Sequence, residues 1–376
     1  MRSPRRRSGG APGSPLLRLL GLLAAAALLL PSLGAQETTS SLGGEFLSRD
    51  LCSLSEVPGG EPAFFWASTS TFSPVLRVKG QRTRAEASFV ASALAGRSAE
   101  GALAASLVSG SQVFVTGGPS GALALGLRTL WARIDLGSAS LQLGRQVIRF
   151  GRGAFWSPAD LFARVDLSGV TPDRLGTDAL RLRLPLAGLW GLDAIAAPAR
   201  DPATGRYATR LSGVLLGVDA GLLGGWDGGS GRLLAAFDCK FDLGPSWYAE
   251  AVLSADPATG DLSPRAAWGL DWSTGDWVFA AEYYWNGGGA AADPAFPAAH
   301  QAFAAVSRSL SDFAQLACTG LWAPVDGALR GQLVLALSSS QNSDLALALG
   351  LSRGAFATRS GTGWAGDLGG SLKVRF

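Results

Sequence analysis

The chain has 376 residues, of which 47% are hydrophobic and only 16% charged, with a formal charge of +3. The charged share is below the ~25% usual for a soluble domain, and so apolar a chain is not disordered. Three cysteines cannot staple a disulfide scaffold, and a single histidine leaves little material for metal sites or proton shuttles.

The first element is an export signal. Arg2, Arg5, Arg6, Arg7 and Arg18 precede or enter an apolar run from Leu19 to Leu30, followed by Pro31-Ser32-Leu33-Gly34-Ala35. A basic start, a short apolar stretch and small residues at the break read as a secretory signal peptide over residues 1–34, cleaved near Gly34 or Ala35. The run is short of the ~20 apolar residues of a membrane-spanning helix. Removing residues 1–34 takes away five arginines and no acid, leaving 27 basic against 29 acidic residues, a net of −2. The basic balance therefore belongs to the signal, and the mature chain has no excess positive charge for nucleic acid.

Beyond the signal the pattern has period two. Residues 35–61 form an N-terminal segment with room for a first strand, and Cys52 is expected ahead of the main barrel, which is placed at 62–376. Leu180, Leu182 and Leu184 share a face opposite Arg181 and Arg183, and Leu233, Ala235, Phe237, Cys239 and Phe241 oppose Asp238 and Lys240. Ala266, Trp268, Leu270 and Trp272 oppose Arg265 and Asp271, and Trp277, Phe279, Tyr283 and Trp285 oppose Glu282. Leu329, Leu333, Leu335 and Leu337 oppose Arg330 and Gln332, and Leu345 to Leu351 oppose small residues. Alternation at this spacing puts the two sets on opposite faces of strands. From residue 121 onward fifteen strands are predicted, and residues 44–116 hold the rest.

The breaks between strands sort by parity. Short turns at 137–138, 186–189, 218–220, 242–246, 273–276, 309–312 and 338–343 alternate with mostly longer connections at 150–176, 199–206, 255–263, 286–298 and 352–363. Tight turns on one side and long loops on the other are how an outer-membrane barrel is built. The predicted fold is all-β, a transmembrane antiparallel β-barrel of 16–18 strands with 18 preferred, because in lipid every backbone N–H and C=O needs a partner and only a closed barrel supplies it. Tryptophans at 247, 268, 272, 277, 285 and 322 lie on apolar faces near strand ends, where interfacial aromatic girdles belong.

The chain ends on an amphipathic strand, Leu372-Lys373-Val374-Arg375-Phe376. A terminal phenylalanine of this kind resembles the assembly signal of bacterial outer-membrane barrels. Residues 143–181, with Gly144-Arg145-Gln146, Gly151-Arg152-Gly153 and Pro158-Ala159-Asp160, resemble porin-like outer-membrane proteins that carry a glycine-arginine-glutamine strand followed by a proline-x-aspartate loop. The resemblance implies an outer-membrane barrel with a long loop near the pore and names no solute.

The loop at 150–176 and its flank carry the pore candidates Arg149, Arg152, Asp160, Arg164, Asp166, Asp173 and Arg174. A long connection in a compact fold tends to be functional, and folded inward it would narrow the lumen and set selectivity. The competing reading leaves the loop on the barrel rim. Lumen-facing candidates are Arg181, Arg183, Arg265, Asp271, Glu250, Glu282 and Arg330. An enzyme is not expected: His300 lacks the His-x-Ser spacing of an outer-membrane phospholipase and has one acid, Asp293, near it in sequence. No cofactor or metal is expected.

Two functions remain open at this point. The first is a porin-like channel for passive diffusion of small hydrophilic solutes. The second is a non-transporting surface protein, an adhesin or structural anchor with a plugged barrel. The expected partners are outer-membrane lipids, the barrel-assembly machinery and, for the channel, small solutes; homo-oligomer formation stays open.

Overall fold

The structure is a computed structural model that describes residues 38–56, 62–96, 112–118, 121–162, 176–293, 296–356 and 363–376. The signal segment 1–34 and its cleavage site lie outside these residues. The first strands are β1 (Thr39–Ser55), β2 (Ala63–Lys79), β3 (Thr83–Gly96), β4 (Gln112–Gly118), β5 (Gly121–Asp135) and β6 (Ser140–Gln146). The middle of the chain supplies β7 (Thr177–Pro185), β8 (Gly191–Ala197), β9 (Arg206–Leu215), β10 (Val218–Asp227), β11 (Arg232–Asp242) and β12 (Ser246–Ala255). The last third supplies β13 (Leu262–Thr274), β14 (Trp277–Asn286), β15 (His300–Ser311), β16 (Ala314–Ala323), β17 (Ala328–Ser340), β18 (Ser343–Arg353) and β19 (Trp364–Arg375).

Every strand pairs antiparallel with its neighbours, and β19 returns to β1 through an unbroken register from Glu45↔Arg375 to Ser55↔Ala365. The closed wall has 18 strands. Strand β4 stands outside the ring: it pairs with residues 121–126 of β5, on the edge that β6 takes over from residue 130. The even count lets an all-antiparallel sheet close without an edge, as 18 was preferred to do. The fifteen strands expected after residue 121 are present as β5–β19.

Register fixes which side each residue takes. Leu333, Leu349 and Leu368 form one continuous row across β17, β18 and β19, and Leu337, Leu345 and Leu372 form another. Leu333, Leu345, Leu349, Leu368 and Leu372 are exposed and Leu337 is half-buried; Leu349 and Leu368 each retain 59% of their surface. An apolar band around the outside of a closed sheet is hydrocarbon-facing, because water would penalise it at roughly 25 cal/mol per Å². Trp268, Trp272, Trp277, Trp285, Trp322 and Trp364 share this outward exposure, and Arg308 and Arg353 lie over Trp277 and Trp364 at 5.1 and 5.3 Å from the ring centroids.

Three details depart from the sequence reading. Cys52 lies inside β1, paired with Trp66 and Leu368, and not ahead of the barrel, because β1 starts at Thr39. The β9–β10 turn falls at Leu216-Gly217 rather than 218–220: both residues have positive φ, 54° and 80°, the geometry of a two-residue hairpin turn that leucine rarely enters. Strand β6 stops at Gln146 instead of reaching 149. The buried Gln146 amide donates to the Ala179 carbonyl at 3.0 Å, and the chain then turns inward, burying Ile148 and Phe150.

Candidate functional site

The inward turn carries the chain across the barrel. Strand β6 and strand β14 lie close to opposite sides of the ring, yet the segment Gly151–Trp156 that follows β6 is hydrogen-bonded to a side chain of β14. Residues 147–162 of the connection between β6 and β7 therefore occupy the lumen. The connection is described as far as Phe162.

Two wall carboxylates hold it there. Glu250 on β12 accepts the backbone N–H groups of Arg152, Gly153 (2.6 Å) and Ala159 (3.2 Å), and the Ser157 hydroxyl donates to it at 3.2 Å. Glu282 on β14 accepts the N–H groups of Ala154 (2.9 Å), Phe155 (3.1 Å) and Trp156 (2.6 Å), with the Tyr248 hydroxyl donating at 2.8 Å. Both glutamates are almost fully buried. Successive N–H groups converging on an anion make a nest, and the sequence builds this one with glycine. Gly151 has φ +83°, and a Cβ there would meet Ser157 Oγ at 2.1 Å; a Cβ on Gly153 would meet the Trp156 carbonyl at 1.6 Å. No other residue fits either position.

Charged and apolar contacts complete the anchor. The Arg152 guanidinium donates Nε to Asp238 of β11 at 2.9 Å and lies 3.4 Å from Asp219 of β10, while Arg210 of β9 reaches the same Asp238 at 2.7 Å. Arg149 donates to the Gly153 carbonyl at 3.0 Å. Ile148, Phe150, Ala159, Leu161 and Phe162 pack against inward-facing Ile195, Leu223, Leu234 and Val252 of β8, β10, β11 and β12. Further along, Trp156 stacks on Tyr284 with centroids 5.4 Å apart, and Phe155 stacks on Phe303 at 4.6 Å. Burying a side chain of this size contributes roughly 1.5–3 kcal/mol, so several together hold the segment firmly.

The docked segment covers the wall from β7 to β15, and among the described residues nothing covers the opposite arc. Two cavities remain there. One, of about 330 Å³, is lined by Arg84, Glu86, Arg133, Gln142, Val147 and Arg183 among others. The second, of about 450 Å³, is lined by Glu45, Arg77, Glu86, Arg128, Arg375 and neighbouring residues. Within this arc Arg77 pairs with Glu86 at 3.0 Å, Arg133 with Asp135 at 2.8 Å and Lys373 with Glu45 at 2.9 Å.

The structure sorts the sequence candidates into separate groups. Arg149 and Arg152 secure the segment to itself and to the wall, and Asp160 is buried beneath it. Arg164, Asp166, Asp173 and Arg174 lie outside the described residues. Glu250 and Glu282 are lumenal but sealed under the segment. Arg181 forks onto Asp193, with Arg183 4.0 Å from the same carboxylate. Arg265 shares its row with Val252 and Asn286, Asp271 pairs with Ser246 and Ala280, and Arg330 pairs with Leu321 and Ser352; none of the three lines either cavity. Phe376 packs at the seam, its ring stacked on Phe72 at 5.5 Å beside Gly44. Sequence reasoning did not single out Asp219, Tyr248 or Ser157 as anchors. The legible trace of the receiving wall is the doubled apolar pairs Leu222-Leu223 and Leu233-Leu234, where alternation breaks.

No family model matches the chain, and no curated protein matches it by sequence. Solved structures do match. The outer membrane protein OpdK from Pseudomonas aeruginosa superposes with a TM-score of 0.57 at 8% identity, covering 89% of this chain and 98% of that one. The chain shares the β-barrel fold of this outer membrane protein. OccAB4 of Acinetobacter baumannii gives 0.57 at 10% identity, over 91% of this chain and all of that one, and OpdK solved with vanillate gives 0.56 at 10%. At these identities the likeness is one of fold, and the residues that line this lumen stand on their own geometry.

Proposed function

We propose that the protein is a porin-like channel of the bacterial outer membrane through which small hydrophilic solutes diffuse passively, with the connection 150–176 constricting the lumen. The observation that carries the reading is one-sided docking: the segment is locked onto Glu250 and Glu282 while the opposite arc keeps two cavities of about 330 and 450 Å³. A plug would have no reason to leave cavities lined by Arg77, Arg84, Arg128, Arg133 and Arg183. These arginines favour anionic solutes, while the acids of β10–β14 are engaged by the segment. The fold shared with OpdK, which has been solved with vanillate, supports a small-solute role. Export through the signal at 1–34 and recognition of Phe376 during assembly belong to the same reading.

Uptake into proteoliposomes tests it. Vesicles carrying the refolded barrel should swell in isosmotic small sugars and organic acids, and the rate should fall with solute size. Vesicles that stay as tight as protein-free controls would favour the non-transporting anchor.

A further inference from the structure

The outward face carries its charges at its two rims, with one exception among the described residues. Arg308 and Arg353 lie over girdle tryptophans, and the Arg145–Asp178 pair sits where β6 ends and β7 begins. Asp50 is different. The register of β1 with β19 is unbroken, and it places Asp50 opposite Gly370, in the row that continues to Leu347 of the apolar band. Gly370 stands midway along the strand between Trp364 and Phe376. Asp50 therefore projects at mid-depth from the face that hydrocarbon covers, and among the described residues no hydrogen bond or ion pair satisfies it.

It is not alone. Ser68 of β2 pairs directly with Asp50, and Ser48 pairs with Ser70, their hydroxyls 3.1 Å apart. These four polar residues lie between Phe46 and Leu54 on β1 and between Trp66 and Phe72 on β2, all of them exposed apolar residues. Several neighbouring outward positions are small, Gly370 and Gly366 on β19 and Ala93 and Ala95 opposite Ser70 and Ser68 on β3, while Leu372 and Leu368 stand opposite Ser48 and Cys52. The result is a shallow, hydrogen-bonding notch in an otherwise leucine-rich belt. Ionisable groups at this depth belong against protein, and small residues permit close approach of a second wall.

The geometry points to a second copy of this chain as the occupant, docked notch to notch about a two-fold axis along the membrane normal. The membrane holds every copy at one depth and one orientation, so a mid-depth polar group meets only what another copy carries at mid-depth. Among the described residues Asp50 is the one outward charge at that depth and the notch gathers four polar residues there, whereas Thr209 of β9, also outward, sits alone between Ala194 and Gly224, and the corresponding stretches of β16–β18 present Cys318, Leu333, Leu335 and Leu347. In the dimer, serine hydroxyls of one copy donate to the Asp50 carboxylate of the other. This assignment is independent of whether the lumen conducts.

Cys52, two residues from Asp50 on the same outward face of β1, reports on the contact, and Cys318, exposed on β16, is the control. Outer membranes containing the full chain are treated with a short bis-maleimide and run under denaturing conditions. The proposal expects a band of twice the protomer mass that disappears in Cys52→Ser, persists in Cys318→Ser, and falls at least tenfold in Asp50→Leu. Asp50→Asn serves as a second variant, and heat-modifiable migration verifies that each barrel has folded. A wild-type chain that gives no dimer overturns the proposal, as does a Cys52 adduct with a protein of another mass. A dimer undiminished in both folded Asp50 variants overturns it equally.

Discussion

Replacing Glu250 by glutamine tests how the lumenal segment is held. In the native chain Oε1 accepts the Arg152 and Gly153 N–H groups and Oε2 accepts that of Ala159, with the Ser157 hydroxyl shared between them. Glutamine keeps the volume, but one oxygen becomes an NH₂ group. If the amide oxygen keeps the Arg152 and Gly153 donors, the NH₂ faces the Ala159 N–H and two donors confront each other. One charge-assisted bond is lost outright and two become neutral, at roughly 1.5–3 kcal/mol for a bond to a charged group and half that for the weakened ones. The sum is about 3–6 kcal/mol, a shift of roughly 150- to 25,000-fold in the docking equilibrium of the segment. Because Glu282 and the aromatic stack remain, the segment loosens at its Gly151–Ala159 end rather than leaving the lumen. Single-channel recording should show raised open-channel noise and transitions to a larger conductance, while heat-modifiable migration of the barrel stays unchanged. Current traces indistinguishable from wild type, in a folded variant, would refute the account of Glu250 as an anchor.

Two further outcomes follow from the same contacts. Arg84→Glu with Arg133→Glu, both on the open arc, should move the reversal potential in a salt gradient toward cations, whereas the same change at Arg330, away from the described cavities, should leave it nearly unmoved. Gly44→Val places a Cβ within 2.7 Å of the Phe376 ring and 2.8 Å of the Ser73 carbonyl, so the β1–β19 seam must shift; overpacking of this kind costs about 1–3 kcal/mol and should lower the yield of folded, heat-modifiable protein.

Much of the fold was legible because it rests on period two. Each outward leucine of β17 and β18 is fixed by alternation alone, and the count of strands after residue 121 follows from turn punctuation. The turn at Leu216-Gly217 was displaced because leucine carries no signal for positive φ. The site was half legible. Length and glycine content singled out 150–176, and parity put Glu250 and Glu282 in the lumen, but their partners are backbone N–H groups, which no side-chain pattern reveals. Arg152 reads as a selectivity charge from sequence and is instead an anchor, since Asp238 and Asp219 come to it from strands far along the chain. The notch around Asp50 was not read from the sequence, because only the register with Gly370 and Leu347 says which way that strand faces.

The central claim is that the lumen conducts past a docked segment. Single-channel conductance of the purified protein in a planar bilayer measures this most directly. The account predicts stable, ohmic openings with anion preference, reduced when Arg84 and Arg133 are reversed. A folded, membrane-inserted protein that passes no current at any applied voltage would contradict it.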